Sequence, residues 1–119
     1  MKRDVHLYLK DILDCIDKIE AFVSGMDFGD FKRDDKTASA VVRKLEVMGE
    51  AAKNVPKSFW NRYPAVSWKE MARMRDKIIH FYFGIDYEIV WNVIQNRLPA
   101  VKLAIANLIC QEKKKKDES

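Results

Sequence analysis

One stretch of the chain, residues 75–82 with the sequence RDKIIHFY, combines residue types that can carry out chemistry. It places Arg75, His80 and Tyr82 within about two turns of an otherwise apolar helical pattern. Arginine is always charged, and histidine titrates near neutral pH. Cleavage of a phosphodiester needs a proton shuttle and a fixed cation for the charge that builds on phosphorus. Arg75 and His80 are therefore the candidate catalytic pair.

Helical geometry places Arg75 on a line of mostly apolar side chains, a seam that would otherwise pack against a neighbouring helix. Steps of four, three, four and three residues connect the members of this seam: Trp68, Ala72, Arg75, Ile79 and Tyr82. Burying an unpaired guanidinium is very costly. Arg75 must therefore either meet a carboxylate or line a wet cleft, such as a groove between two protomers.

His80 does not share a helix face with Arg75, because five residues correspond to a rotation of about 140°. A symmetric dimer would help by bringing two Arg–His pairs into one cleft. Asp76 lies one turn before His80 and could accept a hydrogen bond from its ring. Arg73 and Lys77 are also near His80 on the helical wheel, where they could hold a phosphate backbone.

Structural interpretations of the same residues stay open at this point. Arg75 could form an ion pair with Glu46 or Glu50 of the preceding helix. His80 could be a helix-end or packing histidine, and Tyr82 could be an aromatic residue of the core or of an interface.

The elements that must position these residues are all helical. The first helix carries an apolar stripe from Val5 to Val23 and ends at Gly25. Residues 26–35 read as a loop, and Asp34 or Asp35 caps the second helix. Gly49 lies inside that second helix and suggests close approach of another helix.

The second half of the chain continues the pattern. Residues 58–62 form a short helical turn in which Trp60 packs inward, and Ser67 opens the third helix with a capping box. Gly84 closes this helix. Asp86 caps the fourth helix, and Pro99 either starts a new helix or kinks a continuous one. We therefore expect an all-α fold, an antiparallel bundle of four to five helices.

Length and composition fit one compact domain. The chain has 119 residues, of which 48% are hydrophobic, and its formal net charge is +4, which permits an RNA substrate without demanding one. We assign residues 1–112 to a single helical domain and 113–119 to a charged C-terminal tail, a solvated helix end. No apolar run approaches the ~20 residues of a membrane span, and the start does not resemble a secretory signal, so we expect a cytoplasmic protein.

The few possible metal ligands and thiols point away from a metal centre. Cys15 and Cys110 are expected to be buried free thiols. With two histidines and two isolated cysteines, no spacing for a structural zinc site is present. The apolar stripes are core positions, so we expect neither a metal nor a cofactor. His6 is expected at the surface.

Several landmarks beyond the motif resemble one family. The pattern Arg75-x4-His80-x-Tyr82 resembles the signature of HEPN domains, and more narrowly that of the HepT-like toxin ribonucleases of prokaryotes. Gly49-Glu50-Ala51-Ala52, Pro64 followed by Trp68, residues 75–84, Ile89-Val90-Trp91 and Leu98-Pro99 are similar to the pattern of that subgroup. The similarity covers about residues 5 to 110, nearly the whole chain.

The resemblance implies a HEPN-type bundle that dimerises through the face bearing the motif and cleaves RNA without a metal ion. It gives His80 the role of general base or acid and Arg75 that of transition-state stabiliser. Asp76, where the family commonly has asparagine, and Tyr82 support the site. It further implies a toxin–antitoxin system in which a small nucleotidyltransferase of the MNT type is the partner and adenylylates Tyr82. The alternative is a dimeric module that binds such a nucleotidyltransferase without catalysis.

Overall fold

The computed structural model of the chain describes residues 4–79 and 84–118, apart from the side chains of Arg75, Ile78, Ile79, Asp117 and Glu118. All regular elements in these ranges are helical, as the predicted all-α class requires. The helices are α1 (Val5–Phe22), α2 (Phe28–Arg33), α3 (Asp35–Asn54), α4 (Lys57–Arg62), α5 (Trp68–Ile79), α6 (Tyr87–Asn92) and α7 (Leu98–Glu118), with a π-helical stretch (Val93–Arg97) between the last two.

Local side chains set most of the helix boundaries. Asp34 caps α3 by accepting a hydrogen bond from the backbone N–H of Thr37 at 3.0 Å. Asp86 caps α6 in the same way, accepting from Ile89 at 3.1 Å. Gly25 follows α1 with φ +78°, a left-handed conformation that glycine adopts without a steric penalty. These three predictions are confirmed.

The prediction of a loop over residues 26–35 is wrong, because α2 occupies most of it. Asp27 and Asp30 form a reciprocal capping box: each carboxylate accepts from the backbone N–H of the other, at 2.8 and 3.2 Å. Phe31 of this helix is completely buried. Its ring packs against Tyr87 and Trp91, with centroids 6.0 and 5.2 Å away.

The bundle is organised around α3, which packs against both α1 and α5. Helix α7 runs back along α1, where Lys102 Nζ lies 3.1 Å from Asp17 and 2.9 Å from Glu20. The core consists of the inward-facing apolar side chains of these helices, among them Ile16, Leu45 and Ile105, all fully buried. This is the antiparallel helical bundle that the sequence predicts.

Pro99 lies in the first turn of α7, directly after the π-helical stretch, and the chain passes from α6 to α7 without leaving helical geometry. Proline has no backbone N–H, so a helix that contains one must rearrange the preceding turn. Residues 93–97 take up this rearrangement with a wider turn. The first predicted outcome, Pro99 in the first turn of a helix, is confirmed, and the π-helical stretch joins that helix to α6.

The two cysteines differ. Cys15 is buried as predicted, and burial raises the pKa of its thiol. The prediction for Cys110 is wrong, because this residue is exposed. The buried stripe of α7 passes through Leu98, Val101, Ile105 and Leu108, and Cys110 lies on the opposite side of the helix. His6 is exposed as predicted.

Within residues 4–79 and 84–118, no helix is both long enough and apolar enough to cross a membrane. Helix α7 continues without a break through Lys113–Lys116 to Glu118. The division of the chain at residue 112 stays a prediction.

Candidate active site on α5

The start of α5 is fixed by aromatic side chains. Trp68 is 3% exposed, and its indole N–H donates to the backbone oxygen of Tyr63 at 3.0 Å. The ring of Trp60 stacks parallel to it, with centroids 6.3 Å apart and an interplanar angle of 4°. Trp60, which the sequence predicted to pack inward, is half-buried. Its neighbour Phe59 is the buried residue of α4. The direction of α5 is therefore set at its first residue.

One face of α5 packs into the core and the other faces solvent. Trp68, Met71 and Met74 are buried, and Ala72 is half-buried. These positions fix the helix against α3. By helix geometry, position 75 continues the seam of Trp68 and Ala72, but the side chain of Arg75 lies outside the described part of the chain.

The predicted supporting residues of α5 lie on its solvent-exposed face. Arg73, Asp76 and Lys77 are all exposed. Exposed cations on one helix face can reach the phosphates of a bound strand. Lys69, one turn before Arg73, is exposed as well. Sequence reasoning missed Lys69, although its four-residue spacing from Arg73 was visible.

His80 and Tyr82 lie outside the described residues, so their predicted roles stay predictions. Their position along the chain is bounded on both sides. Ile79 is the last residue of α5, and Gly84, with φ +107°, precedes the cap of α6.

A groove of ≈ 410 Å³ lies between α2 and the stretch from Gly84 to the start of α6. Gly84, Phe28 and Lys32 are among its lining residues, together with Asp86 and Glu88. Tyr87 also lines it, and the tyrosine hydroxyl donates to Asp35 at 2.8 Å, a bond that raises the pKa of the phenol. The unpredicted helix α2 thus supplies an aromatic ring and a cation to the groove at Gly84.

The structural alternative for Arg75 involves two glutamates of α3. Glu46 is half-buried, and its carboxylate lies 3.5 Å from Arg43. Glu50 is exposed and lines a second groove, ≈ 320 Å³, between α1 and α3. An ion pair of Arg75 with either carboxylate lies outside the described contacts, so this alternative is still open.

A search for possible metal ligands in the same ranges finds no group of three or more His, Cys, Asp and Glu side chains arranged to hold a metal ion. The described part of α5 has a buried face that fixes the helix and an exposed face that is cationic. The exposed face carries Lys69, Arg73 and Lys77. Such a surface suits a polyanion.

Fold and motif together define a class of protein, a helical bundle of HEPN type. A family described as ribonuclease HepT-like matches residues 12–108. The chain belongs to this ribonuclease HepT-like family, and the resemblance inferred from the sequence is confirmed. The predicted enzyme class, a ribonuclease, is the class that this family defines.

Named relatives extend the match over most of both chains. The protein named "Putative RNase MJ0127" from Methanocaldococcus jannaschii is 53% identical over 98 residues, covering 82% of this chain and 81% of its own. "Probable ribonuclease HepT" from Thermococcus cleftensis is 47% identical over 102 residues, covering 86% and 93%. "Putative RNase TTE0752" from Caldanaerobacter subterraneus is 42% identical over 106 residues, covering 89% and 95%. No solved structure matches the chain significantly.

Proposed function

We propose that this protein is a metal-independent endoribonuclease whose catalytic groups are Arg75 and His80. The observation that carries the proposal is the Arg75-x4-His80-x-Tyr82 motif, which begins on α5 in a chain of the ribonuclease HepT-like family. The exposed cations Arg73 and Lys77 on the same helix support an RNA substrate.

The reaction needs only groups that the motif supplies. His80 takes the proton of a ribose 2′-hydroxyl, and the 2′-oxygen attacks the adjacent phosphorus. The bond from phosphorus to the 5′-oxygen breaks, and a protonated imidazole returns a proton to that leaving oxygen. The products are a 2′,3′-cyclic phosphate and a 5′-hydroxyl. The guanidinium of Arg75 stabilises the additional negative charge on the phosphoryl oxygens in the transition state.

Two protomers form the complete site in this proposal. Arg75 and His80 are about 140° apart on one ideal helix, so a single helix does not direct both at one phosphate. A twofold axis beside the motif-bearing face of α5 brings two Arg75–His80 pairs into one cleft. The His80 of one protomer, together with the Arg75 of the other, then faces one phosphate, and this imidazole takes the proton as base and returns it as acid.

RNA cleavage by wild-type protein and by His80→Ala in EDTA tests the chemistry. We expect wild-type cleavage to persist in EDTA and to leave 2′,3′-cyclic phosphates, and the variant to lose about 10²- to 10⁴-fold in rate. Far-UV circular dichroism and gel filtration should show an unchanged fold and oligomer. Cleavage that is lost in EDTA, or retained in His80→Ala, would contradict the proposal.

The shared cleft has its own test, the mixing of two inactive variants. Arg75→Ala and His80→Ala homodimers should each be inactive. After subunit exchange, the heterodimer keeps one Arg75 and one His80 in the cleft, and partial activity should return. If mixing restores nothing although exchange is demonstrated by mass spectrometry, the cleft is not shared. A monomer in sedimentation analysis would refute the dimer directly.

We further propose that the protein is the toxin of a toxin–antitoxin pair in the cytoplasm and that an MNT-type nucleotidyltransferase silences it by adenylylating Tyr82. An added nucleotide would place a bulky anion two residues from His80, where it repels the phosphates of RNA. Co-expression with such a transferase should add one or more adenylyl groups to the wild-type protein and none to Tyr82→Phe. Transferase binding by a protein that never cleaves RNA would instead support a non-catalytic binding module.

A further inference from the structure

Three cations form a row along the exposed face of α5. Lys69, Arg73 and Lys77 are spaced four residues apart, so helix geometry places them on one stripe about 12 Å long. Two acidic residues lie close to this row. Asp76 is exposed beside it, whereas the carboxylate of Glu70 is engaged by Arg97 of the π-helical stretch at 2.6 Å.

A second group of cations lies at the end of α7. Lys113–Lys116 are all exposed and belong to the helix. Glu112, which is 12% exposed, fixes this end against α4. It accepts a hydrogen bond from the hydroxyl of Tyr63 and lies 3.9 Å from Arg62 and 4.0 Å from Lys115. The lysines are therefore held on a docked helix rather than on a free tail.

Helix α4 connects these two groups of cations. Tyr63, which contacts the end of α7, also accepts the indole N–H of Trp68 at the start of α5. Lys57 and Arg62 of α4 are exposed, and Arg62 lies 3.9 Å from Glu112 of α7. Lys57 Nζ lies 3.4 Å from the ring centroid of Trp60, which stacks on Trp68. A continuous set of contacts thus leads from the α7 lysines to the first residue of α5.

We propose that this basic track binds the sugar–phosphate backbone of single-stranded RNA and guides it to the motif. The track consists of the α7, α4 and α5 cations: Lys113–Lys116, Lys57, Arg62, Lys69, Arg73 and Lys77. The inference rests on the proposed function, because α5 leads along the track to Arg75. The members of the track are all cations, and the Trp60 ring beside them already packs against Lys57 and Trp68, so the track recognises phosphate charge and not bases.

The expected effect follows from counterion release. For single strands, each phosphate contact contributes about 0.7 to the slope of log K against log salt concentration. Losing the two contacts of Lys113 and Lys114 should reduce the slope by ~1.4 and weaken binding roughly 25-fold at ~0.1 M salt. Lys69→Gln should reduce the slope by ~0.7 and the affinity about 5-fold.

Fluorescence anisotropy with a labelled 2′-O-methyl RNA of mixed sequence measures this binding, because that probe cannot undergo 2′-hydroxyl attack. The test variant is Lys113→Gln/Lys114→Gln. The matched control is Lys18→Gln/Lys36→Gln, which removes the same charge from exposed positions near the end of α1 and the start of α3. Each variant is measured over a range of salt concentrations. Cleavage of ordinary RNA gives kcat and KM in parallel.

The expected result is a smaller salt slope and a higher KM for the test variant and for Lys69→Gln, with kcat unchanged and the control equal to wild type. If wild type cleaves RNA and the test variant binds like the control, the track is refuted while the ribonuclease stands. If the probe binds with the predicted slopes and no RNA is cleaved, the proposed function fails and the track stands. Equal losses in test and control, or binding to anionic lipid vesicles with none to the RNA probe, would overturn the track.

Discussion

Substitution of Phe31 by alanine should destabilise the protein strongly, although a reading of the sequence places this residue in a loop. Phe31 has no exposed surface, and its ring lies 5.2 Å from that of Trp91 and 6.0 Å from that of Tyr87. Truncating a fully buried phenylalanine costs about 3–5 kcal/mol, which includes the cavity that the ring leaves behind. Favourable ring geometry accounts for about 0.5–1.5 kcal/mol of interaction beyond the buried area.

Phe28 provides a matched control on the same helix. It is half-buried, and its ring lies 6.3 Å from that of Trp91. Truncating a half-buried ring leaves a solvent-accessible surface and no closed cavity. Phe28→Ala should therefore lower the free energy of unfolding by only about 1–2 kcal/mol. A domain of this length has a total stability of roughly 6–18 kcal/mol. Phe31→Ala should therefore remain folded at low temperature, with a Tm lowered by about 12–20 °C.

Urea unfolding followed by far-UV circular dichroism, at one fixed protein concentration, gives both free energies of unfolding. Phe31→Ala should lose at least about 1 kcal/mol more than Phe28→Ala. A loss below about 1 kcal/mol for Phe31→Ala would show that the ring is not part of the core. Equal losses for the two variants would show that α2 is not docked on α6 as described.

Two further predictions concern titratable side chains. Native protein should react with a thiol reagent quickly at Cys110, which is exposed, and slowly at Cys15, whose pKa is raised by burial; Cys110→Ser should remove the fast phase. The pKa of Asp34 is lowered by the hydrogen bond from the Thr37 backbone and then by that from its hydroxyl. Its contribution to stability should be present above about pH 3.9 and disappear as the pH falls through the lower folded pKa. The urea midpoint of Asp34→Asn should accordingly change less than that of wild type between pH 5 and acid, and an identical acid profile would contradict this.

Helix ends and the main bundle were predictable from sequence because their causes are local. Asp34 and Asp86 cap helices through bonds to residues three positions later, and Gly25 takes a positive φ. The apolar periodicity of α1 and α3 fixes which faces are buried. None of these features depends on a partner far away in the chain.

Helix α2 was missed because the packing that makes Phe31 a core residue is not local. It is short, contains Gly29 and is rich in charged residues, which is the composition of a loop. Phe31 becomes a core residue only through Tyr87 and Trp91, more than fifty positions later. Before that contact is known, one buried ring in a charged segment cannot be told from an exposed one.

Cys110 was assigned to the core because it ends an apolar run. From α6 through the π-helical stretch into α7, the buried positions follow steps of four and three residues through Val90, Ile94, Leu98 and Val101. The same steps continue to Ile105, Leu108 and then Glu112, so Cys110 falls between core positions. A search for apolar residues does not find this last inward position, because it is occupied by the charged Glu112. The partial burial of Glu112 is compensated by the hydrogen bond from Tyr63 and by the nearby Arg62.

The two faces of α5 explain how a substrate-binding surface can be changed without loss of the fold. Trp68, Met71 and Met74 supply the burial that fixes this helix, and none of them carries charge. Lys69 and Arg73 project from the opposite face, where replacing a side chain typically changes stability by less than about 0.5 kcal/mol. The free energy of folding and the free energy of RNA binding therefore depend on different residues of one helix. A glutamine at Lys69 that unfolded the protein would contradict this separation, whereas one that weakened RNA binding in a folded protein would support it.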